Sequence, residues 1–214
     1  MLRIYNKNDD DEAEFMTNKK AELLKYYKRS FDENLMKGTS GNASLFDEEN
    51  NIILITPSSV DHTTMTEEDI VQLDLKGNII GGKHKPSSEW RMHLRIITEC
   101  KHARAVLHTH SPYATAYSVI DEEIPYVLAE MKYWTDGAIP VSPFGPIGSK
   151  KLGINAAQTL KDRSTCLLQN HGTIAVGPTL ELAYMRAAYI EDAAQICSIA
   201  KGLGTIKNSF VTEE

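Results

Sequence analysis

The sequence predicts one α/β domain in which helices pack on a mixed or antiparallel sheet. Three observations carry this. Helical apolar periodicity marks long segments near both ends of the chain, while short apolar runs bounded by turn residues lie between them. Helices are interspersed with mostly short strands and hairpins, with no GxGxxG or P-loop stretch that would point to a nucleotide fold. At 214 residues and 42% hydrophobic, the chain is long enough for a single sizeable core.

Taken in order, residues 1–12 contain NKNDDDE and no apolar period, so they read as a flexible arm ahead of a single domain over 13–214. From Glu14 to Met36 the residues Leu23, Leu24, Tyr27, Phe31 and Leu35 recur at helical spacing, and Gly38 supplies the stop. GTSGNASLF runs from a small-residue loop into a strand, and NIILITP gives a second strand closed by Pro57. TEEDIVQLDLKGNIIGG reads as an acidic turn, a strand, a hairpin at Lys76–Asn78 and another strand. Pro86 and two serines open the helix SSEWRMHLRIITEC. ARAVLHTH is a compact buried strand, and SPYATAYSVI a helix starting after Pro112. AIPVSPFGPIGS is loop-rich, KKLGINAAQTLKD helical, STCLLQNHGTIAVG two strands around a turn, and TLELAYMRAAYIEDAAQICSIAKGLG a long last helix.

Composition removes several function classes. A net charge of −6 argues against nucleic acid as the main partner. No apolar run nears the roughly 20 residues that span a bilayer, and the acidic start MLRIYNKNDDDEAEF is unlike a signal peptide. Cys100, Cys166 and Cys197 are odd in number, widely spaced and without CxxC, which fits a reduced, cytoplasmic protein.

The stretch AVLHTH places two histidines at the end of an apolar strand. Residues i and i+2 of a strand share a face, roughly 6–7 Å apart, so His108 and His110 can converge on one metal ion. A catalytic metal site needs about three protein ligands and an open position. His171, at a strand end and followed by Gly172, is the third candidate. His93, four residues after Glu89 on a helix, reads as packing or as support for the site, and His62, His84 and His102 as ordinary packed or surface residues.

Three polar clusters accompany the histidines. GTSGNAS, TPSS and PSSE offer hydroxyls and backbone N–H groups, the last at a helix N-terminus where negative charge is favoured. Each alone reads equally as an ordinary turn. Together, flanking a metal site, they point to a phosphorylated small substrate. Glu89 is either a helix-dipole partner or a carboxylate facing the cleft to take a proton, and the residues leave both readings open.

In this order and spacing, GTSGNAS, ITPSS, KPSSEWRMH, AVLHTHSPYATAYS and LLQNHGTIAVG resemble the zinc-dependent class II sugar-phosphate aldolase and adducin family, nearest its fuculose-phosphate branch. The resemblance covers roughly residues 20–204. It implies a three-layer α/β/α fold with a central, mainly antiparallel sheet, and a homotetramer with active sites at subunit interfaces. It implies one Zn2+ per subunit on His108, His110 and His171, with Glu89 as catalytic carboxylate and as a further ligand when substrate is absent. Gly41, Asn42, Ser58, Ser59, Ser87 and Ser88 fall on the positions that hold substrate phosphate.

The implied reaction is reversible cleavage of a ketose 1-phosphate, L-fuculose-1-phosphate-like, to dihydroxyacetone phosphate and a small aldehyde through a zinc-stabilised enediolate. Glutamate at position 89 favours cleavage over the epimerases, which have aspartate there, and the dehydratases, which have cysteine. Decarboxylation of a phosphorylated 3-oxo sugar acid, or epimerisation of a pentulose phosphate, are the alternatives on the same site. A non-enzymatic adducin-like module would be expected to have lost these ligands. Three departures stand out, the last two at the aldehyde half. Ser59 stands where the fuculose branch has glycine, Ala129 where it has tyrosine, and the end GTIKNSFVTEE is shorter than its tail. Glu130 resembles the acid residue of the dehydratases and is a candidate proton donor to the leaving oxygen.

Overall fold

Eight short strands pair into one sheet in the computed structural model, which describes residues 9–207. They are β1 (Asn42–Asp47), β2 (Ile52–Ile55), β3 (Val71–Asp74), β4 (Ile79–Gly81), β5 (Ala105–Thr109), β6 (Val141–Ser142), β7 (Thr165–Leu168) and β8 (Gly172–Gly177). Their order across the sheet is β4-β3-β2-β1-β5-β8-β7-β6. Every neighbouring pair is antiparallel except β6 and β7, which run parallel, so the sheet is mixed and mainly antiparallel as the sequence predicts.

The helices α1 (Asp9–Asp32), α2 (Trp90–Glu99), α3 (Pro112–Ile120), α4 (Met131–Trp134), α5 (Lys150–Thr159) and α6 (Leu180–Leu203) cover both faces. The period-two alternation of the strands decides which core each residue joins. Ala43, Leu45, Ala105, Leu107 and Ala175 pack with Leu23 of α1, Tyr117 of α3 and Tyr184 of α6. Val106, Ile174 and Val176 point the other way, onto Met92 and Ile96 of α2 and Leu152 and Ala156 of α5. All five residues of β5 are buried, as a central strand covered on both faces requires.

This alternation also positions the chemistry. His108 continues the series from Val106, so its ring faces the α2 layer. Asn42 lies directly opposite His108 in the β1–β5 register, and Ser44 opposite Val106, so both share that face. Buried Met92, His93, Ile96 and Ile97 form one helical face of α2, turned toward them.

Differences from the sequence reading are local. Helix α1 stops at Asp32 rather than Met36, because Asn34 takes a left-handed φ of 60° and the Ser30 carbonyl accepts both the Leu35 and Met36 N–H groups. The expected arm over residues 1–12 falls largely outside the described residues, and residues 9–12 belong to α1. The loop-rich AIPVSPFGPIGS contributes the two-residue β6, and α4 is a single turn. Among the described residues no helix is long and apolar enough to cross a membrane, and the three cysteines are free and buried.

Candidate metal centre and active site

His108, His110, His171 and Glu89 converge, each offering one ligand atom within 4.8 Å of the others. The backbone explains each position. His108 ends the buried strand β5, and His110 follows it, its own N–H held by the Leu35 carbonyl at 3.1 Å. His171 completes the β7–β8 turn after Asn170, which adopts a left-handed φ of 56°. Glu89 is the residue immediately before α2, and its carboxylate lies 3.0 Å from His108 Nε2 and 3.5 Å from His171 Nε2. His110 Nε2 stands 2.9 Å from His108 Nε2.

Two glycines make this convergence sterically feasible. A Cβ at Gly41, where φ is +87°, would meet Met36 Sδ at 2.7 Å and the His108 carbonyl oxygen at 2.9 Å. A Cβ at Gly172 would meet the Thr109 carbonyl oxygen at 2.4 Å.

The donor set fits a divalent cation. His108 Nδ1–H donates to the Thr173 carbonyl at 2.8 Å, which turns Nε2 toward Glu89 and the other rings, the atom that would ligate a cation there. Glu89 Oε1 is buried without a hydrogen-bond donor, a position a cation would satisfy. Burial pushes the Glu89 carboxyl up, but the neighbouring His108 and His171 imidazoles and the Asn42 amide outweigh it and hold it well below the usual carboxylate range. His108 is raised overall, since Glu89 outweighs the burial that lowers it. Burial and the neighbouring imidazoles depress His110 to about 3, and burial with His108 depresses His171 to about 4. Both therefore present the neutral form that binds metals.

The centre opens on a cavity of about 220 Å³. Gly41, Asn42, Ser58, Ser59, Ser87 and Ser88 all line it, together with Glu89, His110 and His171. Among the described residues that line it, none is lysine or arginine, so an anion there meets neutral hydroxyls and amides near the start of α2. Ser59 adopts φ 61°, a left-handed backbone that disfavours any residue but glycine, and its Oγ lies 3.4 Å from Ser58 Oγ.

Glu130 is not among the residues lining this cavity. It precedes α4, half-buried, and its carbonyl accepts the Tyr133 and Trp134 N–H groups. The structure adds residues that the sequence does not assign to the phosphate positions. Tyr27, Thr39, Ser40, Val60 and Ile147 also line the cavity. Tyr27 was legible only as part of the apolar stripe of α1, whereas Thr39 and Ser40 lie inside the quoted GTSGNAS loop. Burial, followed by the charge of Asp61, pushes the Tyr27 hydroxyl up to about 12, so it acts as a neutral donor. Of the other histidines, His62 stacks on Phe31, His84 Nε2 pairs with Asp69 at 2.8 Å, and His102 bonds the Arg163 carbonyl.

A helix-flanked antiparallel sheet carrying three imidazoles and a carboxylate at the mouth of a hydroxyl-lined cavity defines a metal-site protein of the class II aldolase fold. Residues 21–198 match the model of the Class II Aldolase and Adducin N-terminal domain, and the chain belongs to that family. It is 36% identical over 186 residues to the 5-deoxy-D-ribulose 1-phosphate aldolase of Bacillus thuringiensis serovar kurstaki, covering 87% of each chain. It is also 36% identical over 182 residues to the L-fuculose phosphate aldolase of Methanococcus maripaludis, covering 85% of this chain and 97% of that one. A solved structure of an L-fuculose 1-phosphate aldolase superposes with a TM-score of 0.86 at 36% identity, over 89% of this chain and 90% of the other. With relatives that are aldolases, the protein is a lyase by class.

Proposed function

We propose that the protein is a zinc-dependent aldolase that reversibly cleaves a ketose 1-phosphate to dihydroxyacetone phosphate and a small aldehyde. The observation that carries this is the Glu89 carboxylate gathered within 4.8 Å of the ligand nitrogens of three imidazoles at the edge of a cavity lined by hydroxyls. Relatives named for 5-deoxy-D-ribulose 1-phosphate and L-fuculose phosphate support a 1-phosphate substrate.

Three nitrogens and one oxygen suit Zn2+ on His108, His110 and His171, one ion per subunit, with Glu89 as the displaceable fourth donor. Bound there, the cation supplies the Lewis acidity that makes enediolate charge tolerable at neutral pH. The chain's own residues do the rest. Gly41, Asn42, Ser58, Ser59, Ser87 and Ser88 hold the phosphate and so fix the distance from it to the reacting carbons. In cleavage the ionised Glu89 takes the C4 hydroxyl proton, the C3–C4 bond pair remains on the ketose half, and the aldehyde leaves. Glu89 then delivers a proton to C3, which becomes the hydroxymethyl carbon of dihydroxyacetone phosphate. Its lowered pKa keeps it ionised at rest, the state from which it takes that proton in the synthetic direction.

The reading includes a homotetramer in the cytoplasm. Support for self-association comes from exposed large apolar residues, Ile79, Ile80, Phe144 and Ile147 among them.

The test is a panel of phosphorylated ketoses and 3-oxo sugar acids given to metal-loaded protein, with released dihydroxyacetone phosphate and carbon dioxide measured in parallel. Release of dihydroxyacetone phosphate, lost on chelation and in Glu89→Gln, is expected. Carbon dioxide without aldehyde would transfer the site to decarboxylation.

A further inference from the structure

We propose that His93 is a positioning residue whose Nε2–H locks the side-chain amide of Asn42, and through it the Glu89 carboxylate, in the orientation the reaction needs. The inference rests on the role given to Glu89 in the aldolase reading and adds a residue that does not itself line the cavity.

Four side chains form a directed chain of hydrogen bonds beneath the metal centre. Ser44 Oγ and His93 Nδ1 are 2.7 Å apart, His93 Nε2 and Asn42 Oδ1 are 2.5 Å apart, and Asn42 Nδ2 lies 3.0 Å from Glu89 Oε2. Ser44, Asn42, Glu89 and His93 are all buried, so none of these groups can exchange its partner for solvent at low cost. The direction follows from donor inventory. An ionised carboxylate only accepts, so Asn42 must turn its NH2 toward Glu89 and its carbonyl toward His93. A carbonyl also only accepts, so His93 must carry its proton on Nε2. Its Nδ1 is then a lone pair, and Ser44 Oγ–H donates to it.

The reverse amide orientation would set the Asn42 carbonyl against the Glu89 carboxylate, a repulsive contact in a buried site. His93 is fully enclosed, and each of its ring nitrogens meets one of these partners, Nδ1 facing Ser44 Oγ and Nε2 facing Asn42 Oδ1. Its place on α2, one helical turn after Glu89, keeps both groups on the same helix face. Buried Ser44 and His93 thus do for the carboxylate what the Thr173 carbonyl does for His108.

The experiment compares His93→Leu and His93→Gln with the wild type. Exchange of the hydroxymethyl protons of dihydroxyacetone phosphate in deuterated water is followed by NMR on zinc-loaded protein. Separately, nitrogen-15 shifts of the histidine rings are recorded on the zinc-free wild type, with the His93 signals identified by their loss in the Gln variant. His93→Leu should slow exchange by roughly 10–100-fold, the usual cost of removing an outer-shell partner. His93→Gln, whose amide N–H can take the place of Nε2–H, should retain most of the wild-type rate, a rescue that mere core filling would not produce. The ring should show the Nε2–H tautomer. An Nδ1–H tautomer, equal loss in both variants, or unchanged exchange in both would overturn the assignment. A wild-type protein without any exchange would instead sink the aldolase reading, and the tautomer would then decide the His93 assignment by itself.

Discussion

Replacing Gly172 by alanine introduces one methyl group where two strands and two candidate ligands meet. Its Cβ would stand 2.4 Å from the Thr109 carbonyl oxygen and 3.2 Å from His108 Cε1. Carbon–oxygen contacts across strands settle near about 3.3 Å, so β5 and β8 must separate locally by roughly 0.9 Å. Overpacking of this kind costs about 1–3 kcal/mol. At about 2–4 °C per kcal/mol for a chain of this size, the melting temperature should fall by about 2–12 °C. The same shift moves His171, next in sequence, against His108. A misplacement of about 1 Å at reacting groups costs on the order of 100-fold in rate, and metal affinity should fall with it. Thermal melting, competition for zinc against a chromophoric chelator and the cleavage assay read the three effects. Gly202→Ala, where nothing lies within 4 Å, is the control and should leave metal affinity and activity unchanged. If Gly172→Ala bound zinc and turned over like the wild type, the claim that this close approach sets the ligand geometry would be refuted.

Two further outcomes follow from the loops that feed the cavity. Ser59→Gly removes a left-handed strain of about 1–2 kcal/mol, less about 0.5–1 kcal/mol for the looser unfolded chain, so stability should rise slightly. Loss of its hydroxyl should raise KM for the phosphorylated substrate by about 2–10-fold, and an unchanged KM would remove Ser59 from the anion contacts. Asp69 accepts the Thr66 N–H at 2.8 Å and also meets Thr66 Oγ, His84 and Lys83, bonds that hold its carboxyl well below the ordinary value. A depressed folded-state pKa stabilises the protein above about pH 4 and is lost as the pH falls further. Wild type should therefore melt above Asp69→Asn at pH 7, with the gap closing in acid; a gap that widened on acidification would reverse the sign.

Legibility in the sequence differed by residue for physical reasons. His108 and His110 were readable because a strand has a fixed period, and Val106 set the face. His171 was readable only as a polar residue at a strand end before glycine, since the β7–β8 turn that aims it depends on Asn170 adopting a left-handed backbone. Glu89 stayed open between dipole partner and cleft carboxylate, because the choice is made by Asn42 and His108, which reach it from other strands. His93 looked like core or support for the same reason: its partners, Ser44 and Asn42, are set by register rather than spacing. The end of α1 was misjudged at Gly38 because Asn34 turned the chain first, a side-chain tolerance that periodicity does not encode. Glu130, matched by position in a family pattern, stands beside α4 and outside the cavity, where local sequence carried no geometric information.

The central claim is that three imidazoles from β5, its end and the β7–β8 turn hold one cation. Diffraction from zinc-soaked crystals at the zinc absorption edge tests it directly. The account predicts a single anomalous peak per chain, about 2.0–2.1 Å from the Nε2 atoms of His108, His110 and His171. No peak there, or one held by other residues, would contradict it.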